Sequence, residues 1–293
     1  MAHPEHREDL SLAPLGGRTP VPAAGACSPA PAAYEICRLC HGPAAPGHPH
    51  CWSCSVVGAQ LGGRPAPVVP MFLFALGSPV HRALVGYKAA VSPSGRTART
   101  RPLAEVLAEF LDTHCACLLG RHVLQGPALL VPVPSSIGGR PSWNGRHPVA
   151  SLGEQALALG RRAVRDLQLG EILRPGTRPP ARLDARVDGY LVDGSIDLRG
   201  RSAIVLDDVF TSGSRALSAA AALTAAGAEV PAVVALGRLV RPEHNRATAG
   251  FWADRRTEPF DPSQCARCAS SGAPRRVIAW RRSDPVVSER LAA

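Results

Sequence analysis

The chain has 293 residues, of which 45% are hydrophobic, and a formal net charge of +10. That length and hydrophobic content exclude a mini-protein and accommodate one sizeable domain together with a smaller unit. Aromatic residues make up only 4% of the chain and no dense run of arginines occurs, so neither an aromatic stacking surface nor a basic arm for nucleic acid is predicted.

The N-terminal stretch "MAHPEHREDLSLAPLGG" lacks a basic segment followed by an apolar one, and no run of 18 or more apolar residues occurs. We therefore expect a cytoplasmic protein that does not insert into membranes. In a reducing compartment, nine cysteines with repeated C-x-x-C spacing favour metal binding over a disulfide framework.

A zinc-binding module is predicted over residues 35–58, after a Pro/Ala-rich tail over residues 1–34 that we expect to be disordered. Its four cysteines follow the pattern C-x2-C-x10-C-x2-C: Cys37, Cys40, Cys51 and Cys54. Four thiolates suit tetrahedral Zn²⁺, and a closed shell of protein ligands is structural rather than catalytic. Three nearby histidines are alternatives to one of the cysteines: His41, His48 and His50.

A third C-x-x-C pair, Cys265 and Cys268, has no evident partner pair in the sequence. It lies in a C-terminal tail, residues 241–293, that we expect to be disordered in part. Cys115 and Cys117 fall near the end of a predicted helix, and we interpret them as half-buried residues.

The main domain is predicted over residues 68–240, where helix-like and strand-like segments alternate. Helices are predicted for "PLAEVLAEFL" with Pro102 in its first turn, for "QALALGRRAVRDL" after a capping box of Ser151 and Glu154, and for "RALSAAAALTAAG", ending at Gly227. Apolar strands are predicted for "ALLVPVP", "SAIVLDD" and "EVPAVVALG". Apolar strands separated by helices indicate an α/β domain with a mainly parallel sheet that is buried on both faces.

Two adjacent acids, Asp207 and Asp208, follow the apolar run "AIVL". We expect them at the C-terminal edge of the strand, where ligands bind in open α/β sheets. Two carboxylates held there can accept hydrogen bonds from vicinal hydroxyls or hold Mg²⁺.

The small-residue loop after the acids contains four residues suited to binding a phosphate: Thr211, Ser212, Gly213 and Ser214. Because a helix is predicted to begin there, the backbone N–H groups of this loop have no helical partners and form an anion site. A Walker NTPase is excluded, since the only lysine, Lys88, lies outside any P-loop pattern. The alternative, in which Asp207 simply caps the turn, explains one acid but not two.

The stretch "AIVLDDVFTSGS" resembles the signature of type I phosphoribosyltransferases. Within that superfamily the chain is similar to the ComF family, named for competence and DNA uptake, whose members place a four-cysteine zinc module before the transferase-like domain. Further resemblance lies in "HRALVGYKAAV", "LLVPVPSS" and "RPSWNGRHPVASLGEQA", and it extends over about residues 36–238. In the last of these segments Trp143 and a glycine flank Asn144, where the family has Phe and Gln.

The resemblance implies a type I phosphoribosyltransferase fold and the ligand phosphoribosyl pyrophosphate with Mg²⁺. Asp207 and Asp208 would bind the ribose hydroxyls, and residues 211–214 would bind the 5-phosphate. Four residues are implied for the pyrophosphate: Ser135, Ser136, Lys88 and Arg140.

The activity implied is transfer of the phosphoribosyl group to a nitrogen acceptor. The alternative is a non-catalytic ligand-binding or scaffold protein in DNA uptake, with single-stranded DNA or a helicase-like competence protein as its partner. A fold alone does not decide between these two functions.

Overall fold

The structure is a computed structural model that describes residues 25–63, 65–89, 93–120, 127–134, 147–161 and 163–270. The described residues form eight strands: Ala26–Cys27 (β1), Val68–Ala75 (β2), Ala128–Pro132 (β3), Leu167–Leu169 (β4), Leu173–Pro175 (β5), Tyr190–Val192 (β6), Ser202–Phe210 (β7) and Glu229–Val240 (β8). They also form seven α-helices: Trp52–Gln60 (α1), Pro79–Gly86 (α2), Pro93–Leu119 (α3), Pro148–Leu159 (α4), Ser214–Ala225 (α5), Arg246–Arg255 (α6) and Ala266–Ser270 (α7).

Six of the strands form one sheet in the order β1, β2, β8, β7, β3, β4. All neighbouring pairs are parallel except β1 with β2. The central strands are buried along nearly their whole length, as expected for a parallel sheet with both faces covered. The predicted α/β class with a mostly parallel sheet is therefore confirmed.

The two faces of the sheet are covered by different elements. In β7, Ile204 and Leu206 pack in a core with α3 and α4, whereas Ala203 and Val205 pack in a second core with α5. The four-cysteine segment belongs to this second core. Because side chains alternate along a strand, the same alternation decides which face each of the following acids reaches.

The boundaries of two helices, α3 and α4, were predicted wrongly. Helix α3 begins nine residues before Pro102, which lies inside it, because the polar stretch "PSGRTARTR" is helical without an apolar stripe that would have predicted it. Helix α4 is capped by His147, whose Nδ1 accepts from the N–H of Val149, so Ser151 and Glu154 lie inside the helix and are no capping box. It ends at Leu159, before Gly160, and residues 163–166 form a 3-10 turn that leads into β4.

Parts of both expected tails are folded. Ala26 and Cys27 form an antiparallel pair with the outer edge of β2. A strand of two residues is too short to show the alternating pattern that would predict it from the sequence. Beyond β8, Phe251 and Trp252 of α6 pack against a small core that includes Cys27. None of the helices in the described ranges combines the length and apolar character needed to cross a bilayer.

Candidate functional site

An open cleft of about 270 Å³ lies beside the C-terminal end of β7 and the N-terminus of α5. Its lining comprises Asp207, Val209, the loop of residues 211–214, the first residues of α5 and the segment 180–182. Next to β7, strand β3 stops at Pro132, opposite Leu206, so the acids lie just past the end of their neighbour. This is the sheet edge at which α/β proteins bind ligands.

The two acids were predicted at the C-terminal edge of the strand, but they lie inside β7, which continues to Phe210. The strand is longer because it keeps pairing with β8 as far as Phe210 opposite Arg238. Consecutive strand residues face opposite sides of a sheet, so Asp207 lines the cleft on the α5 side and Asp208 points to the other side.

Asp208 is held by polar Tyr87 and cationic Lys88, which directly follow α2. The hydroxyl of Tyr87 donates to its Oδ2 at 2.5 Å, and Nζ of Lys88 pairs with the same oxygen. Burial by itself would raise the pKa of Asp208, but Lys88 and Tyr87 lower it overall. Asp208 is therefore an ionised carboxylate. Lys88, which the resemblance assigns to the pyrophosphate, pairs with Asp208 and does not line the cleft.

Asp207 is in a different electrostatic state. Burial first, and the neighbouring charge of Asp208 second, raise the pKa of Asp207 to about 7, against the opposing charges of Arg215 and Lys88. A buried carboxyl with raised pKa at a cleft is a common feature of binding and catalytic sites.

This shift predicts a pH-dependent effect of Asp207→Asn on stability. The folded pKa lies above the ordinary 3.8, so the unfolded state loses the proton first and ionisation of this group lowers stability progressively between about pH 4 and pH 7. Asp207→Asn should therefore raise the melting temperature at pH 8 by roughly 2–4 °C for each kcal/mol gained and change it little at pH 4. Thermal unfolding at both values tests this, with the exposed Asp254→Asn as the control, and equal shifts of Asp207→Asn at the two pH values would contradict it.

The loop after β7 has the geometry of an anion site. Gly213 has φ +85° and precedes the first turn of α5, while the N–H of Leu217 bonds to its carbonyl at 2.9 Å. The hydroxyls of Ser212 and Ser214 lie 3.1 Å apart. The N–H of Ser214 donates to Oγ of Ser212 at 3.5 Å, and the other N–H groups of the first helical turn lie beside the cleft, where an anion also meets the positive end of the helix dipole.

Two arginines complete the lining and were not singled out in the sequence. Arg215 is the second residue of α5, and Arg182 belongs to the segment "PPARLDARVDGY", to which no role was assigned. The only feature of the sequence that points to Arg215 is its position directly after the loop. They add two cationic residues to the lining, and the charge of Arg215 acts on Asp207.

Several predicted residues lie outside the described residues: Ser135, Ser136, Arg140, Trp143 and Asn144. The described residues on either side of residues 135–146 lie near the acids. The N–H of Val133 bonds to the carbonyl of Leu206 at 2.9 Å, and Asp208 is one of the charges acting on His147. Burial lowers the pKa of His147 to about 4, so its ring is neutral at pH 7.

The four predicted cysteines meet in one buried cluster that could hold a metal ion. Their sulfur atoms all lie within 4.8 Å of one another, and Cys40 and Cys51 are 3.8 Å apart. A tetrahedron with Zn–S bonds of about 2.3 Å has sulfur–sulfur edges of about 3.8 Å. The nearby His41 instead bonds through Nδ1 to the carbonyl of Ala30 at 3.0 Å, and no histidine belongs to the cluster.

Arg238 of β8 connects this cluster to the cleft. Its Nε donates to Sγ of Cys40 at 3.4 Å, its guanidinium lies over the ring of Phe210, and Nη1 donates to the carbonyl of Phe210. Burial alone would lower the pKa of Arg238, but the cysteines, Cys40 first, raise it overall, so the residue is a permanent cation. A cation beside thiolates offsets the negative charge of a four-cysteine metal site.

Comparison with known proteins adds no family to these observations, since neither the protein-family models nor the curated proteins include a match to this chain.

Proposed function

We propose that the chain binds phosphoribosyl pyrophosphate with Mg²⁺ in the cleft and transfers the phosphoribosyl group to a nitrogen acceptor. The observation that carries this proposal is the convergence of Asp207 and the residue 211–214 loop on one cleft. The loop suits the 5-phosphate, and the carboxylate suits the ribose hydroxyls. The order of a four-cysteine cluster followed by these elements is also the one that the ComF resemblance implies.

The donors of the cleft fit Mg²⁺, which prefers carboxylate and phosphate oxygens over nitrogen or sulfur. Asp207 is the carboxylate of this chain that would hold the ion together with the ligand's oxygens. When bound, Mg²⁺ would neutralise charge that develops on the departing pyrophosphate.

In the proposed reaction, the bond from the anomeric carbon to the pyrophosphate oxygen breaks and a bond from the acceptor nitrogen forms. The acceptor's proton passes to solvent. Ionised Asp207 would hold the ribose and stabilise positive charge on the ring, while Arg215 and Arg182 would face the phosphates. The loop at the start of α5 would anchor the 5-phosphate and so fix the orientation of the ring.

The cysteine cluster is proposed to hold a structural Zn²⁺ through Cys37, Cys40, Cys51 and Cys54. Four buried sulfur ligands leave no open coordination position, which suits a role in folding and not in catalysis. The buried guanidinium of Arg238 is the outer partner of this site.

Replacing Arg238 by methionine should weaken zinc binding about 10- to 100-fold, the usual effect of losing an outer-shell partner. The substitution keeps an unbranched apolar stem but removes the donor to Cys40. Competition with a chromophoric chelator measures the change. Arg241→Met, which alters an exposed neighbour, is the control, and unchanged affinity in Arg238→Met would refute the assigned role.

A non-catalytic function is the second candidate, and one observation favours it. Asp208 is engaged by Tyr87 and Lys88 and turned away from the cleft, so only one of the two acids faces a ligand there. In that case the cleft would bind a phosphoribosyl ligand as a signal, or the chain would act as a scaffold in DNA uptake with a helicase-like partner or single-stranded DNA.

Release of pyrophosphate separates the two candidates. The zinc-loaded protein is incubated with phosphoribosyl pyrophosphate, Mg²⁺ and a panel of bases and amines. Acceptor-dependent release that Asp207→Asn abolishes would support the transferase. Ligand binding without release by any acceptor would support the non-catalytic function, and salt-sensitive retention on single-stranded DNA would favour the scaffold.

A further inference from the structure

A second cluster of metal-ligating side chains lies on the opposite side of the sheet, away from the cleft. His114 and Cys117 come from α3, whereas Cys265 directly precedes α7 and Cys268 lies in it. Their ligand atoms all lie within 4.8 Å of one another. We infer that these four residues bind a second structural Zn²⁺, which ties the C-terminal segment to the core.

The distances match those of a tetrahedral site with three thiolates and one imidazole. Sγ of Cys117 lies 3.9 Å from Sγ of Cys265, and Sγ of Cys268 lies 3.5 Å from Nδ1 of His114. The edges of a zinc tetrahedron are about 3.8 Å between sulfurs and somewhat shorter between sulfur and nitrogen. The cluster therefore has the size of the four-cysteine cluster, although it shares no residue with it.

Outer contacts orient the ligands toward a common centre. Nε2 of His114 lies 3.1 Å from the carbonyl of Pro262, so the proton sits on Nε2 and the lone pair of Nδ1 points toward Cys268. Histidine ligands of zinc characteristically donate their other N–H to such a carbonyl.

The local structure brings each pair together independently. His114 and Cys117 are three residues apart on α3 and therefore share a face, while Cys265 and Cys268 are separated by one turn. Cys115 belongs to the adjacent apolar core and not to the cluster. Arg267 donates to the carbonyls of Leu118 and Pro231, which holds α7 against α3 and the start of β8.

Burial favours a metal over four ordinary thiol and imidazole groups. Cys265 and His114 are each 4% exposed. A disulfide is the other way to use the cysteines, but the cysteines in the described part of the chain form none, and a Cys117–Cys265 bond would leave His114 and Cys268 without a shared role. Three thiolates and one imidazole are a common structural zinc shell.

Zinc content of the full-length protein tests the inference. We expect wild-type protein, purified under reducing conditions and freed of loosely bound metal, to contain two equivalents by elemental analysis. Cys265→Ser should lose one equivalent, whereas Cys115→Ser, a matched control on α3, should keep both. A wild-type content of one equivalent, or a Cys265→Ser content equal to wild type, would overturn the second site.

Cobalt substitution covers the case in which Cys265→Ser does not fold. The Cys51→Ser substitution removes a ligand of the four-cysteine cluster, so that only the second site binds Co²⁺. The Co²⁺ form of this variant should show the visible absorption of tetrahedral coordination with thiolate charge transfer. Adding His114→Cys to that variant should retain the metal and shift the spectrum toward that of four thiolates. An unchanged spectrum would exclude His114 as a ligand. Detection of a Cys117–Cys265 disulfide by mass spectrometry after alkylation would contradict the second metal site as a whole.

Discussion

Cys54→Ser is expected to remove one equivalent of zinc relative to wild type and to lower the free energy of unfolding by roughly 3–5 kcal/mol. Cys54 is 2% exposed and packs in the same core as α5. Its loss leaves three buried cysteines without the metal ion, and the guanidinium of Arg238 without the anionic metal–thiolate cluster that it faces. At roughly 2–4 °C for each kcal/mol, a change of that size corresponds to a fall in melting temperature of about 6–20 °C.

Cys27→Ser is the matched control, because Cys27 is equally buried but belongs to no metal cluster in the described part of the chain. Its thiol faces the carbonyl of Leu73, which a serine hydroxyl can also reach. Elemental analysis and thermal unfolding are measured on both variants. Full zinc content in Cys54→Ser, or an equal loss of stability in Cys27→Ser without loss of metal, would contradict the four-cysteine site.

Gly213→Ala should weaken binding of phosphoribosyl pyrophosphate by about 100-fold, or roughly 2–3 kcal/mol. The residue has φ +85°, and a Cβ there would lie 2.3 Å from the ring of Phe210. The loop must therefore move, and its N–H groups and hydroxyls no longer converge on the phosphate. Calorimetric titration measures the affinity.

Gly250→Ala is the control for this substitution, since Gly250 lies in α6 with nothing within 4 Å of an added Cβ. It should leave affinity unchanged and stabilise the protein slightly. Near-wild-type affinity in a folded Gly213→Ala variant would show that the loop does not bind the ligand's phosphate.

The cleft and the four-cysteine cluster are physically connected in a way that sequence spacing does not reveal. Arg238 contacts Cys40 on one side and Phe210 on the other, and the ring of Phe210 lies directly under Gly213. Loss of metal should therefore disturb the loop as well as the fold. The residues involved are far apart in the chain and meet only because β7 and β8 are neighbours in the sheet.

The parts predicted correctly are those with strong local signals. A pattern of at most 18 residues identifies each of these parts: the apolar runs of β3, β7 and β8, the small-residue helix α5 and the two close C-x-x-C pairs. Gly213 was singled out because only glycine adopts positive φ readily at a tight turn.

The parts that were missed depend on contacts between distant residues. The continuation of β7 past its apolar run is fixed by pairing with β8, so the opposite orientation of Asp207 and Asp208 could not be seen in the sequence. The pairing of His114 and Cys117 with Cys265 and Cys268 spans about half the chain. The edge strand β1 is too short for any periodicity.

The most direct test of the proposed ligand is calorimetric titration of phosphoribosyl pyrophosphate with Mg²⁺ into wild type and into the double variant Asp207→Asn, Asp208→Asn. Zinc content and circular dichroism establish that both proteins are folded and loaded. We predict one binding event in wild type and at least 100-fold weaker binding in the variant. No binding by folded, zinc-loaded wild type, or equal binding by the two proteins, would contradict the assignment of the cleft.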